Sequence, residues 1–331
     1  MKLQRFIQDY GVLVALLLLI LVNVLRPGSV FLSPENLRNI INQSSFLGIV
    51  AIGMTLVIIA GGIDLSVGSL LALTGGMAVI LLNMGSPETP TASLMAFGGA
   101  IGIGLILGAI NGGLVTLGGL APFIATLGGL VAFRSLVQVL ANGGEIRSKS
   151  AEFYPAIGSS GIPLPFKDGG GQNLTLTWSI IAWIILAFVA AFVLERTRFG
   201  RHLVASGANE KAALYSGINV KAVRFWSYVI LGGLTGLAGA LLSARMNSVA
   251  SGSSGLYYEL DAIAAVVIGG TALTGGKGRI WGTVVGVLML AIIGNMMVGF
   301  GVSSYWQGAV KGLIIILAVL LQRLGSAKEG S

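Results

Sequence analysis

Of 331 residues, 55% are hydrophobic and only 10% are charged, against roughly 25% charged in an average soluble domain, which excludes an ordinary soluble fold and implies a helical bundle in lipid. The formal charge of +8 does not point to nucleic acid, because basic residues flanking apolar runs report membrane orientation instead. There is no cysteine, and His202 is the one histidine, so disulfides, thiolate sites and a histidine-built metal site are excluded.

Apolar runs near 20 residues fall at about 10–26, 46–60, 65–84, 93–117, 122–141, 174–194, 225–243, 259–274, 282–300 and 304–322. They predict an all-α polytopic membrane bundle of about ten transmembrane helices, some short or broken by paired glycines, forming one domain over 1–331. The first run follows Lys2 and Arg5, as a signal peptide would, but no small-residue cleavage site follows Leu25, so it reads as a retained helix. Arg196, Arg198, Arg201, Lys211, Lys221 and Arg224 face only Glu195 and Glu210 in the stretch 195–224, which places that loop in the cytoplasm. The six spans before it put the N-terminus inside as well. Counted this way, twelve basic residues lie inside and six outside, with Arg134 and Lys311 within spans, and both termini are cytoplasmic. The Gly-, Ser- and Pro-bearing segment 142–173 is then a periplasmic loop. Gly61–Ser69 can be laid on Gly269–Lys277 as a weak internal repeat, carried mostly by glycine.

Along the chain, Thr55, Asp64, Ser66, Asn111, Thr126 and Asn295 are polar side chains in or beside spans. They can tie helices together or hydrogen-bond a hydroxylated solute in a central path. Asp64, among glycines between two apolar runs, is expected to cap the next helix by accepting from the amide of Ser66 or Val67 ahead of any solute contact. Arg134 and Lys311 are expected to snorkel or to serve as interior structural groups. The segment 207–217 reads as a short cytoplasmic helix with Asn209 as N-cap, Glu210 at its positive end and Gly217 as terminator. Ala212, Ala213 and Leu214 are expected to offer a partner groove a small apolar face. GGTALTGGKG at 269–278 fails as a phosphate-binding loop, since Thr271 stands where the first glycine belongs and Gly278 where the hydroxyl belongs. No catalytic nucleophile and base are visible, and His202 reads as a solvated loop residue.

GGIDLSVGS at 61–69, FIATLGGLVAFR at 123–134, RTRFGRHLVASGANEKAALYSGI at 196–218 and YELDAIAAVVIGGTALTGGKG at 258–278 resemble the permeases of ribose, xylose and related monosaccharide ABC importers, in order and over essentially the whole chain. The resemblance implies a multi-pass protein of the bacterial inner membrane, paired with a second copy of itself and surrounded by lipid. Two cytoplasmic ATPase domains would hold ATP and Mg²⁺, since this chain carries no cofactor of its own, and a periplasmic sugar-binding protein would dock above. It implies that 207–217 is the coupling helix, with Asn209, Glu210, Ala212, Ala213, Leu214 and Gly217 at the ATPase contact. The glycine-rich spans 61–76 and 262–276 are expected in the homodimer interface, where small residues permit close packing. Branched-chain amino-acid and nucleoside permeases are the alternative within the same superfamily. An ion-coupled transporter fits less well, because only Arg134 and Lys311 stand at mid-depth in this reading.

Overall fold

The computed structural model describes residues 2–25, 28, 30–167, 171, 173–303, 306–310, 312, 313 and 316, with side chains from residue 14 onward. In chain order come α1 (Lys2–Leu25), α2 (Pro34–Ile59), α3 (Val67–Met84), α4 (Pro90–Thr116) and α5 (Pro122–Leu140). A segment of mixed structure follows: β1 (Glu145–Arg147), α6 (Phe153–Ser159), β2 (Gly161–Lys167) and β3 (Asn173–Thr177). The chain continues through α7 (Trp178–Arg196), α8 (Arg198–Ala208), α9 (Glu210–Tyr215), α10 (Val220–Met246), β4 (Ser248–Ala250), α11 (Tyr258–Ile268) and α12 (Ile280–Gly299).

Several starts are written in the sequence. Proline opens α2, α4 and α5, where a missing N–H costs nothing, and the Ser33 and Thr89 hydroxyls accept from the amides of Asn36 and Ala92. Seven helices, α2, α3, α4, α5, α7, α10 and α12, are long and apolar enough to cross a membrane among the described residues.

α2 is the buried axis of the bundle, with 83% of its apolar window inside the protein, and it packs on α7, α10, α11 and α12. On its other side α10 lies against α4, where Gly104 and Gly108 meet Gly232 and Gly236 backbone to backbone; a Cβ at Gly104 or Gly232 would run into the opposing helix. Such contact replaces the hydrophobic drive that lipid does not supply. The outer faces of α4, α5 and α7 are apolar and exposed, with Ile106, Ile124, Val131, Phe188 and Phe192 among them, as lipid or a second membrane subunit requires.

The expectation of about ten spans is met loosely. The run 259–274 is not a full span, because α11 has 11 residues and reaches about 16 Å at 1.5 Å per residue, half of a hydrocarbon core. The run 304–322 and Lys311 fall largely outside the described residues. The external loop is not irregular throughout. β1 pairs antiparallel with β4, and β2 with β3 as a hairpin, while Tyr154 of α6 buries its ring and bonds Ser243 of α10 at 2.8 Å.

Candidate solute path and coupling surface

The chain still passes from one end of the bundle to the other between β4 and α12. β4 is fastened to β1 beside α6, whereas the turn after α11 is fastened at the opposite end, where the Gly276 amide donates to Ile59 O at 2.9 Å and Gly276 lies against Ala208. α11 supplies one half of this crossing, and non-helical residues 251–257 supply the other. Exposed carbonyls at that depth must be satisfied by protein. Arg134, about 18 Å into α5, does so, with Nη1 donating to Ser251 O and Ser254 O at 2.9 Å each. It therefore holds the break in place and does not snorkel. The break also packs on the start of α3: a side chain at Gly68 would collide with the Gly255 carbonyl and the Glu259 carboxylate. Tyr257, with φ 64°, takes the left-handed conformation just before α11, and such outliers persist where surroundings over-determine them.

Around the start of α11 stand Tyr258, Glu259 and Asp261. Glu259 lies within the field of Arg134, and Tyr258 within the fields of Arg245 and Asp261. Arg245, from the last turn of α10, lays its guanidinium over the buried Phe46 ring of α2, with Cζ 5.6 Å from the ring centre. Among the described residues its five N–H donors have no acceptor, and the Tyr258 hydroxyl has no hydrogen-bond partner. Half-buried donors left open in this way ask for a ligand or water. A cavity of about 280 Å³, lined by Leu71, Ser243, Ser248 and Gly255, borders the break.

The residues expected on the path divide into two sets. Asp64, Ser66 and Asn111 come together in a buried knot: Asp64 Oδ1 accepts from the Ser66 amide at 2.8 Å and hydroxyl at 2.7 Å, and Asn111 Nδ2 donates to Ser66 Oγ at 2.8 Å. The expected contact of Asp64 with Ser66 is present, and the Asn111 bridge from α4 is additional. Thr55, Thr126 and Asn295 do not join it. Thr55 pairs with Thr283 at 2.7 Å and Asn295 with Asn36 at 2.9 Å, tying α2 to α12, while Thr126 donates to Pro122 O within its own helix. Sequence reasoning missed Tyr258, Glu259, Asp261 and Arg245. The signal was present, since charged groups at the head of an apolar run are functional candidates by default.

The segment 207–217 forms α9, separated from α8 by the extended Asn209, whose side chain accepts from the Ala212 amide at 3.0 Å; Gly217, at φ 77°, ends it. One expectation is corrected. Ala212, Ala213 and Leu214 cannot share a face, because consecutive helical residues point about 100° apart. Ala213 turns inward and is buried, whereas Leu214 and Tyr215 are 51% and 90% exposed. Glu210 and Arg224 form an ion pair at 2.8 Å. His202 stands exposed on α8. In the 269–278 turn the Gly276 amide donates to Ile59 O. The glycines at 68 and 276 are likewise committed within the chain, so they are not free to pack a second copy.

A polytopic helical bundle with a broken crossing and polar groups at the break defines a membrane permease. Residues 36–319 match the family described as branched-chain amino acid transport system / permease component, and the chain belongs to that family. It is similar to the ribose import permease protein of Escherichia coli K12, 43% identical over 96% of this chain and 94% of that protein, and to that of Bacillus subtilis 168, 43% identical over 94% and 91%. The D-allose transport system permease protein of Escherichia coli K12 is 36% identical over 96% of this chain and 93% of that protein.

Proposed function

We propose that the chain is the membrane subunit of an ATP-driven importer for a monosaccharide such as ribose. It forms the solute path with a second copy in the bacterial inner membrane, as one domain with both termini in the cytoplasm. The observation that carries this reading is the 43% identity with ribose import permeases over nearly the whole of both chains. The polar group at the break suits the same solute. Arg245 and Tyr258 offer donors, Glu259 offers an acceptor, and Phe46 offers an apolar face, the mixture that a neutral polyhydroxylated ring can bond without a net charge of its own. Asp64, Ser66 and Asn111 then act as an internal fastening beside the path, and Thr55 and Asn295 as helix ties.

ATP and Mg²⁺ belong to a separate ATPase that meets α9 through Leu214 and Tyr215, with Ala213, Asn209 and Gly217 shaping the helix from behind. A periplasmic sugar-binding protein meets the end that carries α6 and the β2–β3 hairpin. An ion-coupled transporter is the second reading, and one observation favours it more than the sequence did: Glu259 and Asp261 place acids beside the break. Uptake into proteoliposomes separates the two. Transport of labelled ribose that needs the ATPase, ATP and the binding protein supports the importer, and transport by the chain alone that collapses with an ionophore overturns it.

A further inference from the structure

We infer that Arg224 is a positioning residue that carries movement of α9 into the crossover between α2 and α3. This inference rests on the proposed ATPase contact at α9. Arg224 uses two N–H positions of one planar guanidinium. Nη2 donates to Glu210 Oε2 at 2.8 Å, at the first residue of α9, and Nε donates to Ala60 O at 3.0 Å, the carbonyl that ends α2. Helix-final carbonyls lack intrahelical partners and attract cations, so the guanidinium closes the end of the central helix of the bundle. One turn further along α10, Tyr228 donates its hydroxyl to Ile63 O at 3.0 Å, and Asp64 then begins the knot with Ser66 and Asn111. Two adjacent side chains of α10 thus hold residues 60–63, Arg224 also reaching α9, and the far end of this crossover is the start of α3, against Gly255 and the break.

An ordinary surface ion pair would do none of this, and such pairs contribute little. Arg224 differs in being 24% exposed, against 50% for Glu210, and in being bonded to backbone that belongs to a different helix. The crossover has room to respond. A cavity of about 360 Å³ lies beside it, lined by Gly61, Gly62, Leu120, Pro122, Arg224 and Tyr228. A lysine, with one compact ammonium, cannot span both acceptors as the fork of an arginine does.

The test uses the complete permease with its ATPase and sugar-binding protein in proteoliposomes, and reads ATPase co-purification, ATP hydrolysis and labelled ribose uptake separately. Arg224→Gln is expected to co-purify with the ATPase and keep hydrolysis within about twofold of the parent, while the ATP hydrolysed per ribose imported rises about tenfold or more. The exchange Glu210→Arg with Arg224→Glu restores a surface pair yet sets a carboxylate against the Ala60 carbonyl, so it is expected to remain uncoupled. Wild-type coupling in Arg224→Gln, or full recovery in the exchange, overturns the inference. If Arg224→Gln does not accumulate in membranes, Glu210→Ala at the exposed end is expected to raise the ratio about threefold, and an unchanged ratio there also overturns it. An unaltered chain that binds no ATPase at all would instead defeat the proposed function.

Discussion

At the start of α3 the donors around Asp64 are all taken within the knot, and the buried Asn111 Oδ1 is left there without a partner. The amide and hydroxyl of Ser66 end on Asp64, and the Asn111 amide ends on Ser66. At the start of α11 the bonds stay open: Arg134 gives its Nη1 to two backbone carbonyls, but Arg245 keeps its donors unpaired over Phe46 among the described residues. Both regions are polar, both lie within a lipid-embedded bundle, and they touch through Gly68 and Gly255. The difference teaches that intramembrane polarity alone does not mark a path. A network whose donors are all taken rigidifies a junction, whereas an open donor set beside a break in the backbone is where a passing solute gains hydrogen bonds.

The comparison is broken most severely by Arg134→Met. It leaves the Ser251 and Ser254 carbonyls unpaired, at about 1–3 kcal/mol each, and the expected outcome is a loss of thermal stability in detergent of several kcal/mol together with low membrane abundance. Next is Arg245→Met, which keeps the stem packed on Phe46. Stability is expected to stay within about 1 kcal/mol of the parent, while ribose uptake falls about tenfold or more, as loss of a charged hydrogen bond worth about 1.5–3 kcal/mol demands. Asn111→Ala reverses that pattern. It is expected to cost about 1–2 kcal/mol of stability, read by the same thermal melt, with a smaller loss of uptake per folded molecule.

The smallest effect sharpens the contrast from outside the membrane. Glu88, in the loop before α4, accepts from the amides of Phe153 and Ala151 and from the Ser150 hydroxyl, so its carboxyl is held below the ordinary value of 4.5. A lowered pKa means that the carboxylate stabilises the fold above the ordinary value and loses that contribution as pH falls through the lowered one. Melting curves of the parent and Glu88→Gln are expected to differ by a constant small amount at neutral pH and to converge in acid.

How far the sequence reached follows from the same contrast. The long spans were legible because each apolar run had its own local reason, such as the prolines that open α2, α4 and α5. The cap of α9 by Asn209 and its stop at Gly217 were legible too, being contacts over three or four residues. The break before α11 was not, since its carbonyls are satisfied by Arg134, more than a hundred positions away in the chain. The glycines of 61–69 and 269–277 looked like a weak repeat, yet what they share is a helix ending: Gly62 donates to Val57 O and Thr271 to Val266 O, and the two turns then pack on each other. The inward turn of Ala213 and the open donors of Arg245 also depend on which faces meet, which periodicity leaves open when every face is apolar.

Cysteine accessibility tests the central claim most directly, because the chain has no cysteine of its own. Single variants Tyr258→Cys and Ser66→Cys would be treated with a water-soluble, membrane-impermeant thiol reagent in proteoliposomes that contain the ATPase and the binding protein. The cysteine at 258 is expected to react, with ribose and ATP slowing its labelling, while the cysteine at 66, inside the buried knot, is expected to stay unlabelled. An inert cysteine at 258 with a reactive, ribose-protected cysteine at 66 would contradict the claim and return the path to Asp64, Ser66 and Asn111.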